Sequence, residues 1–434
     1  MRFLVAGAGI AGLFTAYSLH KKYKTSDIVV VEKSDRLGGR IQSVRMGNQV
    51  VEMGAGVVLD NHTEVLRLID ELGLGDRLKA GRGKRVHVEL DPVRPGGAVT
   101  ETVYRIREMR PLTETGFYDT MFDLRRRIDV GEIDPTVARC YSLHRLLERV
   151  HGVGVADRLR AEFGYDADFN DQNAVDAVEM FTRGAFRPDR VSHILEGGLS
   201  QIISRLRDRL VGAGIRIRLR SELVDIRVVT QGTQYDCSVR DETGVVDTIR
   251  ADVVVLALPK MGLQRIPFLE PVRSLLQSVS CKALMRIYAR FPIVAPSTTP
   301  WFRDLGNQIL TTDTVLRQIV PIGDLLMIYV DDGVALSWRY LKEAGLLESE
   351  LLFHLRRVFS DTTIPAPVEV RSKYWGEATH VWRPTVESGE MSRRVLHPFP
   401  LERVYIVGES YSLQQEWSQG ALLTVRELMK ILAV

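Results

Sequence analysis

The sequence predicts an α/β fold carrying a Rossmann-like dinucleotide-binding unit. Three observations predict it. A glycine-rich turn joins an apolar strand to a helix near the N-terminus, an acidic residue ends the next strand, and a strand–Gly–Glu–helix unit stands near the C-terminus.

Residues Phe3 to Ala6 read as a short buried strand, apolar throughout and ended by glycine. Gly7-Ala8-Gly9-Ile10-Ala11-Gly12 follows, and apolar residues at helical spacing (Leu13, Ala16, Tyr17, Leu19) continue the chain. A second strand, Asp27 to Val31, ends at Glu32, 20 positions past Gly12. Each part has a physical task. Gly7 permits the tight turn, Gly9 lets the backbone approach a pyrophosphate, and Gly12 lets helix and strand pack closely. The helix N-terminus offers unpaired N–H groups to the phosphates, and Glu32 accepts from ribose hydroxyls. A GxGxxG motif alone is weak, but strand, helix, second strand and acid together supply its required context.

Composition narrows the function. The chain has 434 residues, with 58 Lys plus Arg against 55 Asp plus Glu, a net charge of +3. That leaves no basic field of the kind nucleic acid needs. Only 11 of the basic residues are lysine, and none lies between Lys84 and Lys260. The three cysteines, Cys140, Cys237 and Cys281, are odd in number and widely spaced, so no disulfide framework is expected and the compartment reads as reducing, the cytoplasm. The nine histidines form no HxxxH or Cys/His cluster, so no metal site is expected. No apolar run reaches transmembrane length, and the glycine spacing argues against reading the N-terminus as a signal peptide.

Beyond Glu32 and Lys33 come Arg36-Leu37-Gly38-Gly39-Arg40 and then Gly54-Ala55-Gly56. Paired glycines and an arginine suit a second phosphate contact: small residues allow close approach and a guanidinium supplies charge. The run GAGIAGLFTAYSL…VVVEKSDRLGGRI resembles the N-terminus of the flavin-containing amine oxidases, which include monoamine and polyamine oxidases and histone demethylases. Desaturases and protoporphyrinogen oxidases share this part of the signature. The resemblance implies FAD, held non-covalently, as the cofactor.

The C-terminus is similar to the same family's closing motif. A strand at Val404 to Val407 leads into Gly408-Glu409-Ser410, and Trp417-Ser-Gln-Gly420-Ala421 opens a helix running to Leu432. In the resemblance this helix points its N-terminus at the flavin, and Trp417, three residues before Gly420, is an aromatic of the substrate cage. The ending GESYS…W…GAL is similar to amine-oxidase-like proteins of bacteria and large DNA viruses.

Between the two ends, a helix is expected from Asp60 to Leu78, a glycine/proline loop over residues 91–97, and strictly alternating strand from Ile215 to Arg220. The resemblance places backbone contacts to the adenine at Leu223. It also places a lysine five residues before an aromatic on the strand ending at Phe291, where it holds water against flavin N5. That position is Arg286 here, and Lys282 lies four residues earlier on the same face. An arginine orients water or stabilises negative charge but does not act as a base, its pKa being above ~12. Asp166, Asp168 and Asp171, beside Tyr165 and Phe169, read as a loop or helix cap, or as a lure for a cationic amine. Tyr374-Trp375 and His380-Val-Trp382 fall where the resemblance expects residues near the flavin ring. No cysteine stands in that stretch, so the cysteinyl-flavin linkage of monoamine oxidases is not expected.

The resemblance implies a discontinuous FAD domain (1–82, 190–275 and 396–434) and an α+β substrate-binding domain interleaved with it (83–189 and 276–395). It implies hydride transfer from an amine α-carbon to flavin N5, with O2 as the second substrate and H2O2 as product. Three other readings share the motifs: a desaturase or protoporphyrinogen-type oxidase, a non-catalytic protein stabilised by FAD, and an NAD(P)-dependent dehydrogenase.

Overall fold

The computed structural model describes residues 1–24, 27–93 and 102–432. Residues 94–97 of the glycine/proline stretch lie outside them. The chain divides into two compact units. Unit 1 holds Met1–Ala80, Val191–Cys281 and Glu377–Val434, and unit 2 holds Gly81–Arg190 and Lys282–Gly376.

Unit 1 is built on a five-stranded parallel sheet. Strand β1 (Arg2–Ala6) lies between β2 (Asp27–Val31) and Val253–Leu256, with Arg216–Arg218 beyond β2 and Val404–Ile406 at the far edge. All pairings are parallel, with Phe3 opposite both Ile28 and Val253. Parallel strands buried on both faces require unbroken apolar runs, and VVV recurs in β2 and in Val253–Leu256. On one face, helix α1 (Ile10–Lys22) packs with helices Ser200–Gly212 and Ser418–Ile431 through Leu13, Leu206 and Leu422. On the other face, Leu4, Val254 and Ile406 join residues of an antiparallel three-stranded sheet (Ser221–Thr230, Gln234–Asp241, Val246–Ala251).

Unit 2 holds most of a seven-stranded sheet, in the order Glu369–Trp382, Val279–Arg290, Leu325–Asp331, Gln318–Ile322, Ile309–Thr311, Arg85–Val93 and Val103–Pro111. Helices Asp332–Glu343 and Leu347–Val358 bury Trp338, Leu351 and Leu355 with Ile287 and Ile328 of the sheet. A second core, centred on Phe117, Phe163, Phe169 and Phe181, gathers five helices between Phe117 and Thr182.

Several elements are shorter than expected. The helix from Asp60 spans only Thr63–Glu71, and the alternating strand ends at Arg218 because Arg220 turns to φ 51°. The chain re-enters unit 1 at Glu377, earlier than residue 396, because Trp382 and Val395 pack into the core around Leu4 and Ile406. No described helix is long and apolar enough to cross a membrane.

Candidate functional site

The turn after β1 and the run Gly38-Gly39 meet. Gly9 forms an isolated bridge with Gly38, and Gly38 N donates to Ala8 O at 2.9 Å. Two glycines here stand in different surroundings. A Cβ on Gly12 would stand 1.8 Å from Gly7 O, so packing of helix against turn demands glycine. A Cβ on Gly9 would have Gly39 Cα, at 3.9 Å, as its nearest protein neighbour. Packing does not demand glycine at that point, and the space between the two turns suits a bound group.

The start of α1 fits a pyrophosphate. Ile10 and Ala11 open the helix, Gly9 is its N-cap with no side-chain cap, and its first turn has no acidic residue. Glu32 closes β2 beside this turn. Its Oε2 accepts from Ala8 N at 2.8 Å, and its Oε1 accepts from Ser34 N at 2.9 Å and Ser34 Oγ at 2.8 Å. A carboxylate has about four acceptor positions, so Glu32 retains capacity for a ribose hydroxyl. Lys33 is exposed. The Arg36 guanidinium shapes the second turn by donating to Leu37 O at 3.2 Å and Gly39 O at 2.5 Å. The bend holding Gly54, Ala55 and Gly56 is tied to the same turn, since Ala55 N donates to Arg40 O at 3.0 Å.

Arg40 and Glu409 form an ion pair, and Arg40 also donates to Ala378 O at 2.9 Å. Glu409, 6% exposed, accepts from Glu416 N at 3.0 Å and lies 2.7 Å from His380 Nδ1. Burial favours a protonated carboxyl, but Arg40 and His380 hold Glu409 at about 2. Burial likewise opposes charge on His380, yet the Glu409 carboxylate and hydrogen bonds with Cys281, Glu377 and Glu409 hold it near 10. At neutral pH Glu409 is therefore ionised and His380 protonated. Arg40 and Glu409 read from the sequence as separate contacts; the structure joins them.

At the C-terminus Gly408 N donates to Thr424 Oγ1 at 2.9 Å, tying the strand end to the closing helix. That helix starts with Trp417 as N-cap, followed by Gly420 and Ala421 in its first turns. A Cβ on Gly420 would stand 1.9 Å from Gln414 O, so the fold of the 414–420 turn requires glycine there. The Trp417 ring meets His62 edge-on at 4.9 Å. Leu223 is buried, and the ladder of its strand shifts register between Leu223 and Asp225, which takes Val224 out of the pairing.

In unit 2, Lys282 and Arg286 are both buried, at 2% and 6% exposure. Lys282 pairs with Asp171, with Asp332 at 3.9 Å. Arg286 stacks over the Tyr329 ring at 4.5 Å. Burial and the neighbouring Arg286 charge lower the pKa of Arg82. The carboxylates read as a lure for an amine have other surroundings within unit 2, and Asp171 keeps a side chain that is partly exposed. Asp166 pairs with Arg317 at 2.5 Å, Asp168 is 2% exposed, and Asp171 holds Lys282.

Sequence reasoning missed one grouping. Ligand-type atoms of Cys281, Glu377 and His380 lie within 4.8 Å of one another. Local spacing could not reveal it, because Cys281 comes from a different strand than the other two.

Comparison with known proteins agrees with this architecture. Coproporphyrinogen III oxidase of Mycobacterium tuberculosis is 24% identical over 295 residues, covering 61% of this chain and 60% of that protein. The chain therefore spans less than two thirds of that relative's length. An uncharacterized protein of Acanthamoeba polyphaga mimivirus is 22% identical over 476 residues, covering 98% and 92%. A solved structure of wild-type putrescine oxidase bound to putrescine shares the fold, with a TM-score of 0.72, 18% identity and coverage of 99% and 98%. Residues 10–424 match the family model described as flavin containing amine oxidoreductase. The chain belongs to the flavin-containing amine oxidoreductase family, and its cofactor is FAD.

Proposed function

We propose that this protein is an FAD-dependent amine oxidase that works in the cytoplasm and releases hydrogen peroxide. The observation that carries the reading is the match to the amine oxidoreductase family across residues 10–424, supported by the glycine cradle at Gly9 and Gly39. FAD, when bound, supplies two-electron oxidation at carbon and is restored by O2.

The chain's residues have distinct tasks in this reading, with unit 1 as FAD domain and unit 2 as substrate domain. Backbone N–H groups of Gly9, Ile10, Ala11 and Gly12 would hold one phosphate, with Gly7 shaping the turn. Gly38, Gly39 and Arg40 would hold the other. Glu32 and Lys33 would take the ribose and Leu223 the adenine, while Gly54, Ala55 and Gly56 would border the flavin. Gly408, Glu409, Gly420 and Ala421 would hold the ribityl chain and pyrimidine, without a covalent link. Trp417 would form a flat wall for the substrate, and Arg286 would orient water while staying protonated.

A second reading, a porphyrinogen-type oxidase, is favoured by one observation. The half-buried Arg82 lies close enough to the buried Arg286 guanidinium for that charge to add to burial in lowering the pKa of Arg82, and paired cations suit substrate carboxylates better than an ammonium. One experiment separates the two. The purified yellow protein is mixed anaerobically with a panel of amines and with coproporphyrinogen III, and peroxide is measured on admitting air. Bleaching by an amine, followed by peroxide, is expected; bleaching by the porphyrinogen and by no amine selects the second reading.

A further inference from the structure

We propose that Cys281, Glu377 and His380 form a binding site for one divalent cation of the zinc class. Their thiol sulfur, carboxylate oxygen and ring nitrogen all lie within 4.8 Å of one another. Metal–ligand bonds of about 2.0–2.3 Å place tetrahedral zinc ligands roughly 3–4 Å apart, so the group needs only a small contraction. One pair already meets that spacing: Glu377 Oε1 and His380 Nε2 are 3.3 Å apart.

The surroundings of the three ligands resemble those of built metal sites. His380 is completely buried, and its other nitrogen, Nδ1, lies 2.7 Å from Glu409 Oε1. A carboxylate on the far nitrogen of a ligating histidine fixes tautomer and ring orientation, leaving Nε2 to face the metal. The Glu377 carboxylate is also held in place, because Met261 N donates at 2.6 Å to the same Oε1 that faces His380. Charge matches as well. Glu409 is already balanced by Arg40, so once the cation displaces the protons of the Cys281 thiol and of His380 Nε2, the Cys281 thiolate and the Glu377 carboxylate together neutralise a dication. A donor set of sulfur, nitrogen and oxygen selects zinc-class ions over magnesium or calcium, which prefer oxygen alone. Three protein ligands leave one position for water.

The test uses the FAD-loaded full chain, stripped with chelator and then dialysed against zinc. One tightly held zinc per chain is expected, with at least tenfold weaker retention in Cys281→Ser. Cadmium is expected to add a thiolate charge-transfer band that persists in Cys140→Ser and Cys237→Ser and vanishes in Cys281→Ser. Glu377→Gln, a near-isosteric change, serves as the second variant if Cys281→Ser loses its flavin, and it too is expected to weaken zinc retention at least tenfold. Absence of zinc retention by the unmodified protein, or a cadmium band that survives the loss of Cys281, overturns the site.

Discussion

The guanidinium carbon of Arg286 lies 4.5 Å from the centre of the Tyr329 ring, and the two residues sit opposite each other on paired antiparallel strands. Such a contact is worth about 0.5–2 kcal/mol and fixes the direction of a charge that is never lost. If Arg286 serves the flavin, Arg286→Met slows reduction or reoxidation by at least about tenfold, equal to roughly 1.4 kcal/mol of barrier. Arg286→Lys keeps the positive charge and recovers part of the rate. Stopped-flow absorbance reads both half-reactions, and unchanged rates in both variants would remove Arg286 from the chemistry.

Gly9 and Gly12 belong to one motif but are expected to fail differently. Alanine at Gly12 drives its Cβ to 1.8 Å from Gly7 O and must displace the turn. Loss of several kcal/mol and of soluble protein is expected. Alanine at Gly9 meets nothing nearer than Gly39 Cα at 3.9 Å, so the fold survives, while the methyl group occupies the space proposed for the pyrophosphate. Gly9→Ala should give folded protein that binds FAD at least about tenfold more weakly, a difference of roughly 1.4 kcal/mol. Circular dichroism alongside flavin titration checks both outcomes, and normal FAD affinity in Gly9→Ala would place the phosphates elsewhere.

Lys282 and Asp171 make an unequal pair, the lysine side chain 2% exposed and the aspartate 41% exposed. Removing the aspartate leaves the buried ammonium with Asp332, at 3.9 Å, as the remaining carboxylate within ion-pair reach among the described residues. A buried charge stripped of its partner costs about 3–5 kcal/mol, and the exposure of Asp171 brings the expected cost of Asp171→Asn to the lower part of that range or below. Lys282→Met removes the buried charge altogether and lets Asp171 return to water, so it should cost less. Thermal melts of the two FAD-loaded variants decide the order; equal or reversed midpoints would show that the pair does not carry Lys282.

The parallel sheet of unit 1 was legible because its signals are local. Phe3 to Ala6, Asp27 to Val31 and the glycines between them carry turn, strand and helix within one stretch of chain. The alternation from Ile215 to Arg220 misled for a physical reason: a side-chain pattern of period two does not report that Arg220 leaves the strand with a positive φ. Arg40, His380 and Glu409 could be named but not joined, because their ion pairs depend on which strand ends the fold brings together. Asp166, Asp168 and Asp171 form an acidic cluster in sequence, but Arg317 and Lys282, the partners of Asp166 and Asp171, lie far along the chain.

Asp331 gives unit 2 a dependence on pH whose sign is fixed by its surroundings. Its carboxyl is completely buried and accepts from Ala167 N at 2.8 Å and Asp166 N at 3.2 Å, bracing the short helix Ala167–Asn170. Burial raises its pKa from 3.8 to about 7; the Asp166 charge adds to the rise, and the two backbone N–H groups and Arg317 oppose it. Between those values the folded chain holds a proton that the unfolded chain has released. This group therefore favours the folded state most at low pH, loses that contribution as pH rises from about 4 towards 7, and changes nothing further above that. The slope reaches at most about 1.4 kcal/mol per pH unit. Asp331→Asn keeps an acceptor for Ala167 N and cannot ionise, so it should gain on the unmodified protein as pH is raised from 5 to 8. Melting midpoints of both proteins across that range test this, and a gap that stays constant with pH would mean that Asp331 is ionised in the folded state throughout.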